Sequence, residues 1–225
     1  MSAVSVENVW KYFGDYPALR EINFTLEAGN CLALLGRNGA GKTTLLRILA
    51  GLSSASTGAV KLPDRRRAAY LGHNIGIYDE LSAEENLRLF AQLYELPDAN
   101  KTAAKWLERV NLSHVAESPV REFSRGMRQR LALARVFQHE PEMLLLDEPF
   151  TSLDDRAIAL LQDLMREAKT RGATIVLSTH QLREALELAS DVVLLRRGQI
   201  SYRGPRTDAM VHDPAAIYRD YGGEA

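Results

Sequence analysis

Short, unbroken apolar runs punctuate this chain. Ala3 to Val9, Asn30 to Leu35, Met143 to Leu146, Thr174 to Leu177 and Val192 to Leu195 each read as a strand. The later runs lack polar alternation, the pattern of strands buried on both faces of a parallel sheet. Helical periodicity lies between them. Lys42 to Ala50 follows a glycine-rich loop, and Leu153 to Lys169 carries Leu160, Leu161, Leu164 and Met165 at helical spacing. Asp154 and Asp155 open that second helix, where the dipole favours negative charge, and Gly172 stops it. Strands alternating with helices predict an α/β layered fold.

The middle of the chain has a different rhythm. From Ser82 to Gln138 the pattern is helical, with no convincing strand. Ser82 and Glu85 have the spacing of a capping box, and Leu87, Phe90, Ala91 and Tyr94 follow as an apolar stripe. Pro97 interrupts it and Lys101 to Val110 resumes it. The reading is one domain over 1–225: an α/β core at 1–75 and 139–204, a helical subdomain at 76–138, and a polar tail at 205–225.

Composition narrows the partners. An apolar fraction of 46% suffices for a real core, and a net charge of -1 gives no bulk attraction to nucleic acid. Arg65, Arg66 and Arg67 follow Pro63-Asp64 and read as a solvated turn. Cys31 is alone among apolar neighbours, so it reads as a buried structural thiol rather than part of a disulfide framework or metal site. No run approaches the ~20 apolar residues of a membrane-spanning helix. The segment Met1 to Ser5 lacks the basic and apolar parts of a signal peptide. The expectation is a cytoplasmic chain that serves any membrane process from its inner face.

The chemistry lies at the ends of the strands. Gly36-Arg37-Asn38-Gly39-Ala40-Gly41-Lys42-Thr43 fits the P-loop pattern, with a strand before it and a helix after it, and Thr44 completes the expected ATP-binding set. Glycines let successive backbone N–H groups converge on one anion, and the helix N-terminus adds its positive end. Lys42 is expected to reach the β- and γ-phosphates and the Thr43 hydroxyl to ligate Mg²⁺. The run Met143 to Leu146 then delivers Asp147 and Glu148. Asp147 is expected to hold Mg²⁺ through water, and Glu148 to polarise the attacking water as general base.

Further motifs narrow the choice among P-loop enzymes. Phe123-Ser124-Arg125-Gly126-Met127-Arg128-Gln129-Arg130 resembles the signature motif of ABC ATPases. Ser152-Leu153-Asp154 resembles that family's D-loop, and His180 its switch histidine. The resemblance spans residues 3 to 204 with five elements in order. It implies the ABC ATPase fold: a P-loop core with a mostly parallel sheet, an N-terminal antiparallel β region and an inserted helical subdomain. It also implies head-to-tail pairing of two ATPase subunits, as a homodimer, each ATP lying between one P-loop and the other copy's signature motif. Ser124 and Gly126 would then bind ATP in trans, Asp154 would hold the interface, and His180 would hydrogen-bond the γ-phosphate. Phe13 fits the family's adenine-stacking position, with Tyr12 as the alternative. Membrane-spanning subunits are the implied partners, and nucleic acid is not.

Two departures stand out. His73 occupies the place of the family's Mg²⁺-touching glutamine, and Asn74 is the alternative if the loop shifts by one residue. Arg125 replaces the signature's first glycine and Met127 its glutamine, while Ser124 and Gly126 are kept. Gly72-His73, Ser124 to Arg130, Pro149-Phe150-Thr151 and Thr179-His180-Gln181 resemble the ATPase subunit of the haem exporter of cytochrome c maturation. The competing readings are a soluble ABC ATPase in translation or DNA maintenance and a nucleotide kinase. The first usually carries two ATPase domains or a long coiled coil, and the second lacks the motifs at Ser124, Asp154 and His180.

Overall fold

The computed structural model describes residues 2–62, 67–72 and 75–221. Six strands form the main sheet: β3 (Cys31–Leu35), β5 (Ala68–Leu71), β6 (Met143–Asp147), β7 (Thr174–Ser178), β8 (Asp191–Arg196) and β9 (Gln199–Pro205), in the order β5-β6-β7-β3-β8-β9. All pair in parallel except β8 with β9. Every residue of β3, β6 and β7 is buried, which is why their sequences run apolar without alternation. Cys31 sits in this layer, and burial pushes its thiol pKa up to about 12, so it is protonated and inert at neutral pH.

A second, antiparallel sheet has the order β2-β1-β4, from β1 (Ser2–Phe13), β2 (Tyr16–Glu27) and β4 (Thr57–Lys61). β1 runs four residues beyond the expected strand end at Val9 because irregularities interrupt its pattern. Asn8 adopts φ 47°, and its N–H donates to Asn23 Oδ1 at 2.7 Å. Glu21, at φ 52°, does the same to β2, so Leu19 and Ile22 both face the core despite their odd spacing. Val4, Val6, Leu19, Phe24 and Leu26 share one hydrophobic core with Leu32 and Leu34 of β3 and with Leu45, Leu46 and Leu49 of α1 (Lys42–Leu49).

The chain divides into two compact units. The first comprises Met1–Gly72, Glu142–Pro149 and Met165–Ala225, and so holds both sheets. It also holds α1, α6 (Leu182–Leu188), α7 (Asp208–His212) and α8 (Ala216–Tyr221). The second comprises His73–Pro141 and Phe150–Leu164, and the boundary falls inside α5 (Asp155–Thr170).

In the second unit α2 (Ala83–Leu93), α3 (Ala99–Arg109) and α4 (Arg125–Phe137) pack on one another. Ser82 and Glu85 form the capping box at α2. α3 starts at Ala99, two residues earlier than the sequence reading has it, and Asp98 caps it by accepting the Lys101 N–H at 3.0 Å. Asn86 is buried and ties the preceding loop together, donating to the carbonyls of Tyr78 and Ser82 and accepting the Tyr78 N–H. Among the described residues, no helix is long and apolar enough to cross a membrane.

Candidate functional site

The ends of β3, β6 and β7 converge because their registers align: Leu34 and Asp147 both sit opposite Ser178. Open α/β sheets place ligand sites at the carboxyl ends of their strands. From β3 the chain turns at Gly36, whose φ of 148° brings the loop against β8. A side chain there would put its Cβ 2.6 Å from the Leu195 carbonyl oxygen, so only glycine fits. The loop closes on α1 at Gly41, with Leu45 N–H donating to the Gly41 carbonyl at 2.9 Å. Between these glycines Arg37, Asn38 and Gly39 are exposed.

Lys42 is only 7% exposed, and its ammonium donates to the carbonyls of Gly36 at 2.7 Å and Arg37 at 3.4 Å. Burial draws its pKa below the usual lysine value, while the Glu148 and Asp147 carboxylates act in the opposite direction. Lys42 Nζ lies 4.0 Å from Glu148 Oε1. Three charged side chains thus meet at the strand ends.

Asp147 is 7% exposed and accepts a short hydrogen bond from the Ser178 hydroxyl. Glu148 leaves the strand at φ 54°, a conformation uncommon for a non-glycine residue. Its N–H donates to the Ser178 carbonyl at 2.9 Å. Its carboxylate accepts the His180 backbone N–H at 3.2 Å and lies 2.8 Å from His180 Nδ1. The end of β7 and the residues just after it therefore hold Asp147 and Glu148 by way of Ser178 and His180.

A cavity of about 470 Å³ opens beside the loop, lined by Asn38 through Thr44, Glu148, Ala18, Phe13 and Tyr16. Phe13 and Tyr16 are 57% and 63% exposed and face each other across the β1–β2 turn as a register pair. Tyr12 is instead stacked on Trp10, with ring centroids 5.9 Å apart, and is not among the lining residues. Tyr16 was absent from the sequence reading. Its signal was two aromatics flanking a two-residue Gly14-Asp15 turn, which places them opposite one another. Ser178 was also missed, since a serine ending an apolar strand carries no signal of its own.

A divalent cation would find hard oxygen donors here. No group of three or more His, Cys, Asp and Glu side chains capable of holding a metal occurs among the described residues. Mg²⁺ does not need one, because it keeps waters and phosphate oxygens and takes one or two protein oxygens. The buried Asp147 carboxylate and the Thr43 hydroxyl fit that set. His73 and Asn74, the other expected metal or phosphate contacts, lie outside the described residues.

Ser124, Gly126 and Asp154 belong to the second unit. Ser124 caps α4 by accepting the Met127 N–H at 3.3 Å. A Cβ on Gly126 would lie 3.4 Å from the Ser152 carbonyl oxygen, so the segments around Gly126 and Ser152 are neighbours. Ser152 has φ 67°, and Asp154 caps α5 by accepting the Ala157 N–H at 2.8 Å. Arg128 fixes the start of α4, donating to the Phe123 and Arg121 carbonyls and pairing with Asp79 at 2.8 Å.

Comparison with known proteins gives the family. The family model described as ABC transporter matches residues 19–151. An uncharacterized ABC transporter ATP-binding protein of Methanocaldococcus jannaschii is 37% identical over 91% of this chain and 78% of its own length. Nod factor export ATP-binding protein I of Rhizobium meliloti is 37% identical over 99% of this chain and 70% of its own. A solved ATP-binding subunit of an ABC transporter superposes with a TM-score of 0.84 at 31% identity, covering 98% of this chain and 93% of that one. The chain belongs to the ABC transporter family, as an ABC ATPase.

Proposed function

We propose that this chain binds ATP in the cavity beside Gly36–Thr44, pairs with a second copy, and drives membrane-spanning subunits from the cytoplasmic face. The observation that carries the site assignment is the meeting of Lys42, Asp147, Glu148 and His180 at the ends of three adjacent strands. Phe13 stacks on the base at the cavity's aromatic rim. The loop N–H groups and Lys42 hold the phosphates, the ammonium exchanging its carbonyl partners for phosphate oxygens. Thr43 and Asp147 would hold Mg²⁺, which when bound would supply positive charge to the phosphate oxygens. Glu148 takes the proton of the attacking water, and His180, already bonded to Glu148, orients that carboxylate and meets the γ-phosphate. Ser124, Gly126 and Asp154 complete the other copy's site.

The cargo follows from subfamily features alone. Gly72-His73 and the run Ser124 to Arg130 favour a haem exporter serving cytochrome c maturation, whereas the Rhizobium meliloti relative is named for Nod factor export. The soluble alternative, in translation or DNA maintenance, predicts no membrane partner. Recovered from membranes, the wild type brings integral-membrane subunits with it, and haem stimulates its ATP turnover. Glu148→Gln retains ATP binding and loses turnover by about 10²- to 10⁴-fold, the contribution of a positioned base. A variant with wild-type turnover removes Glu148 from the base role. Recovery with ribosomes or DNA and no membrane protein removes the transporter reading.

A further inference from the structure

The first residue of the phosphate loop is held through both of its flanking peptides. Lys42 takes the Gly36 carbonyl at 2.7 Å. The Gly36 N–H donates at 3.0 Å to the hydroxyl of Tyr218, a residue of α8 that lies 182 positions away in sequence. Gly36 is buried and sits one residue past the last β3–β8 pair, Leu35 with Leu194, where ladder partners end. A buried N–H that loses its acceptor carries the full desolvation penalty.

The helix that supplies the hydroxyl is itself anchored. Ile217 is 2% exposed. The Tyr221 ring packs on Tyr202 of β9 with centroids 4.5 Å apart, and Arg219 pairs with Asp213 at the turn leading into α8. Burial raises the Tyr218 phenol's pKa above its usual value, opposed by the Gly36 N–H and joined by the Glu148 charge, so the hydroxyl stays neutral at physiological pH. Tyr218 thus touches the loop at its first residue while leaving the cavity lining to other residues.

We propose that Tyr218 is a positioning residue of the phosphate-binding loop: its hydroxyl fixes the Leu35–Gly36 peptide by its N–H, so ATP affinity depends on how α8 is seated. The inference rests on the nucleotide reading of the loop. It gives a segment outside the ABC motifs control over the site. Whatever shifts α8 is then felt at the phosphates, through one hydrogen bond rather than through side-chain chemistry on the nucleotide.

Tyr218→Phe tests this, because it keeps the ring and removes only the acceptor. The dissociation constant for ATP, the KM and kcat of turnover, and the melting temperature are measured for wild type, Tyr218→Phe and Tyr221→Ala. Tyr218→Phe weakens ATP binding about threefold to tenfold, the scale of one neutral hydrogen bond, and KM rises while kcat at saturating ATP stays within about twofold. Tyr221→Ala, which loosens α8 without touching Gly36, weakens binding in the same direction by a smaller factor. ATP affinity unchanged in Tyr218→Phe, with or without a lower melting temperature, overturns the proposal. If Tyr218→Phe does not fold, Tyr221→Ala decides: unchanged affinity overturns it. Wild-type protein that binds no ATP overturns the nucleotide reading itself, and the proposal with it.

Discussion

His139 shows how far burial moves a titration in this chain. Its ring stacks on Tyr94 with centroids 3.8 Å apart and planes 7° from parallel, and neither ring nitrogen has a hydrogen-bond partner among the described residues. Burial first, and the Arg135 charge second, push its pKa down to about 4. The folded value lies below the ordinary 6.5, so between the two the unfolded chain holds the extra proton. The stability His139 confers is therefore complete above pH 6.5 and is lost as the pH falls toward 4. Each unit is worth ~1.4 kcal/mol, so the window holds on the order of 3 kcal/mol. Urea midpoints measured at pH 7 and pH 4.5 test this. His139→Phe, which keeps the stack on Tyr94, shows a shallower acid slope than wild type. Equal slopes assign the acid sensitivity elsewhere.

At the scale of elements, a cap with a local spacing and the fully buried strands were legible in the sequence. Ser82 and Glu85 announced α2 through a local spacing, and the structure forms both reciprocal hydrogen bonds. β3, β6 and β7 were legible because each is wholly buried. β9 was not, since Gln199–Pro205 alternates only between exposed and half-buried positions on a sheet edge. β2 was hidden by the positive φ at Glu21, which shifts its inward positions by one. Tyr218 was illegible for a different reason, since its partner is fixed by tertiary packing and nothing near it in sequence marks it. The loop from Gly36 to Thr43 was legible as a strand-to-helix connection because its glycines and lysine form a consecutive pattern.

Ser124 poses an element-scale question, because a cap and a phosphate ligand have the same sequence signature. The cap is on view in its bond to Met127. Ser124→Ala removes it and costs about 1 kcal/mol of stability. Ser124→Asp separates the roles. Aspartate caps as well as serine does, and its charge suits the N-terminus of α4. That charge also repels an incoming phosphate. The expected outcome is a melting temperature near wild type with ATP turnover reduced at least about tenfold, on the scale of several kcal/mol that like charges cost when brought together. Turnover at the wild-type level in Ser124→Asp reduces Ser124 to a cap.

For the whole molecule the decisive property is concentration. The P-loop residues lie in the first unit and Ser124, Gly126 and Asp154 in the second. On the proposed reading each ATP is held by the first-unit residues of one copy and the second-unit residues of another. ATP then acts as a ligand that binds the pair more tightly than the single chain, and mass action couples nucleotide occupancy to dimerisation. Glu148→Gln, which binds ATP without consuming it, is expected to sediment as a dimer with Mg²⁺-ATP and as a monomer without nucleotide. Adding Ser124→Asp to that variant is expected to abolish the dimer while leaving first-unit ATP binding measurable, because the repulsion arises only when the second copy arrives. In the wild type, turnover per chain rises with protein concentration until dimerisation is complete. Turnover strictly proportional to chain concentration far below the dimer's dissociation constant, with Glu148→Gln monomeric in ATP, requires a site complete within one chain. In that outcome Ser124, Gly126 and Asp154 lose their role in trans, while the strand-end cluster of Lys42, Asp147, Glu148 and His180 stands as the site.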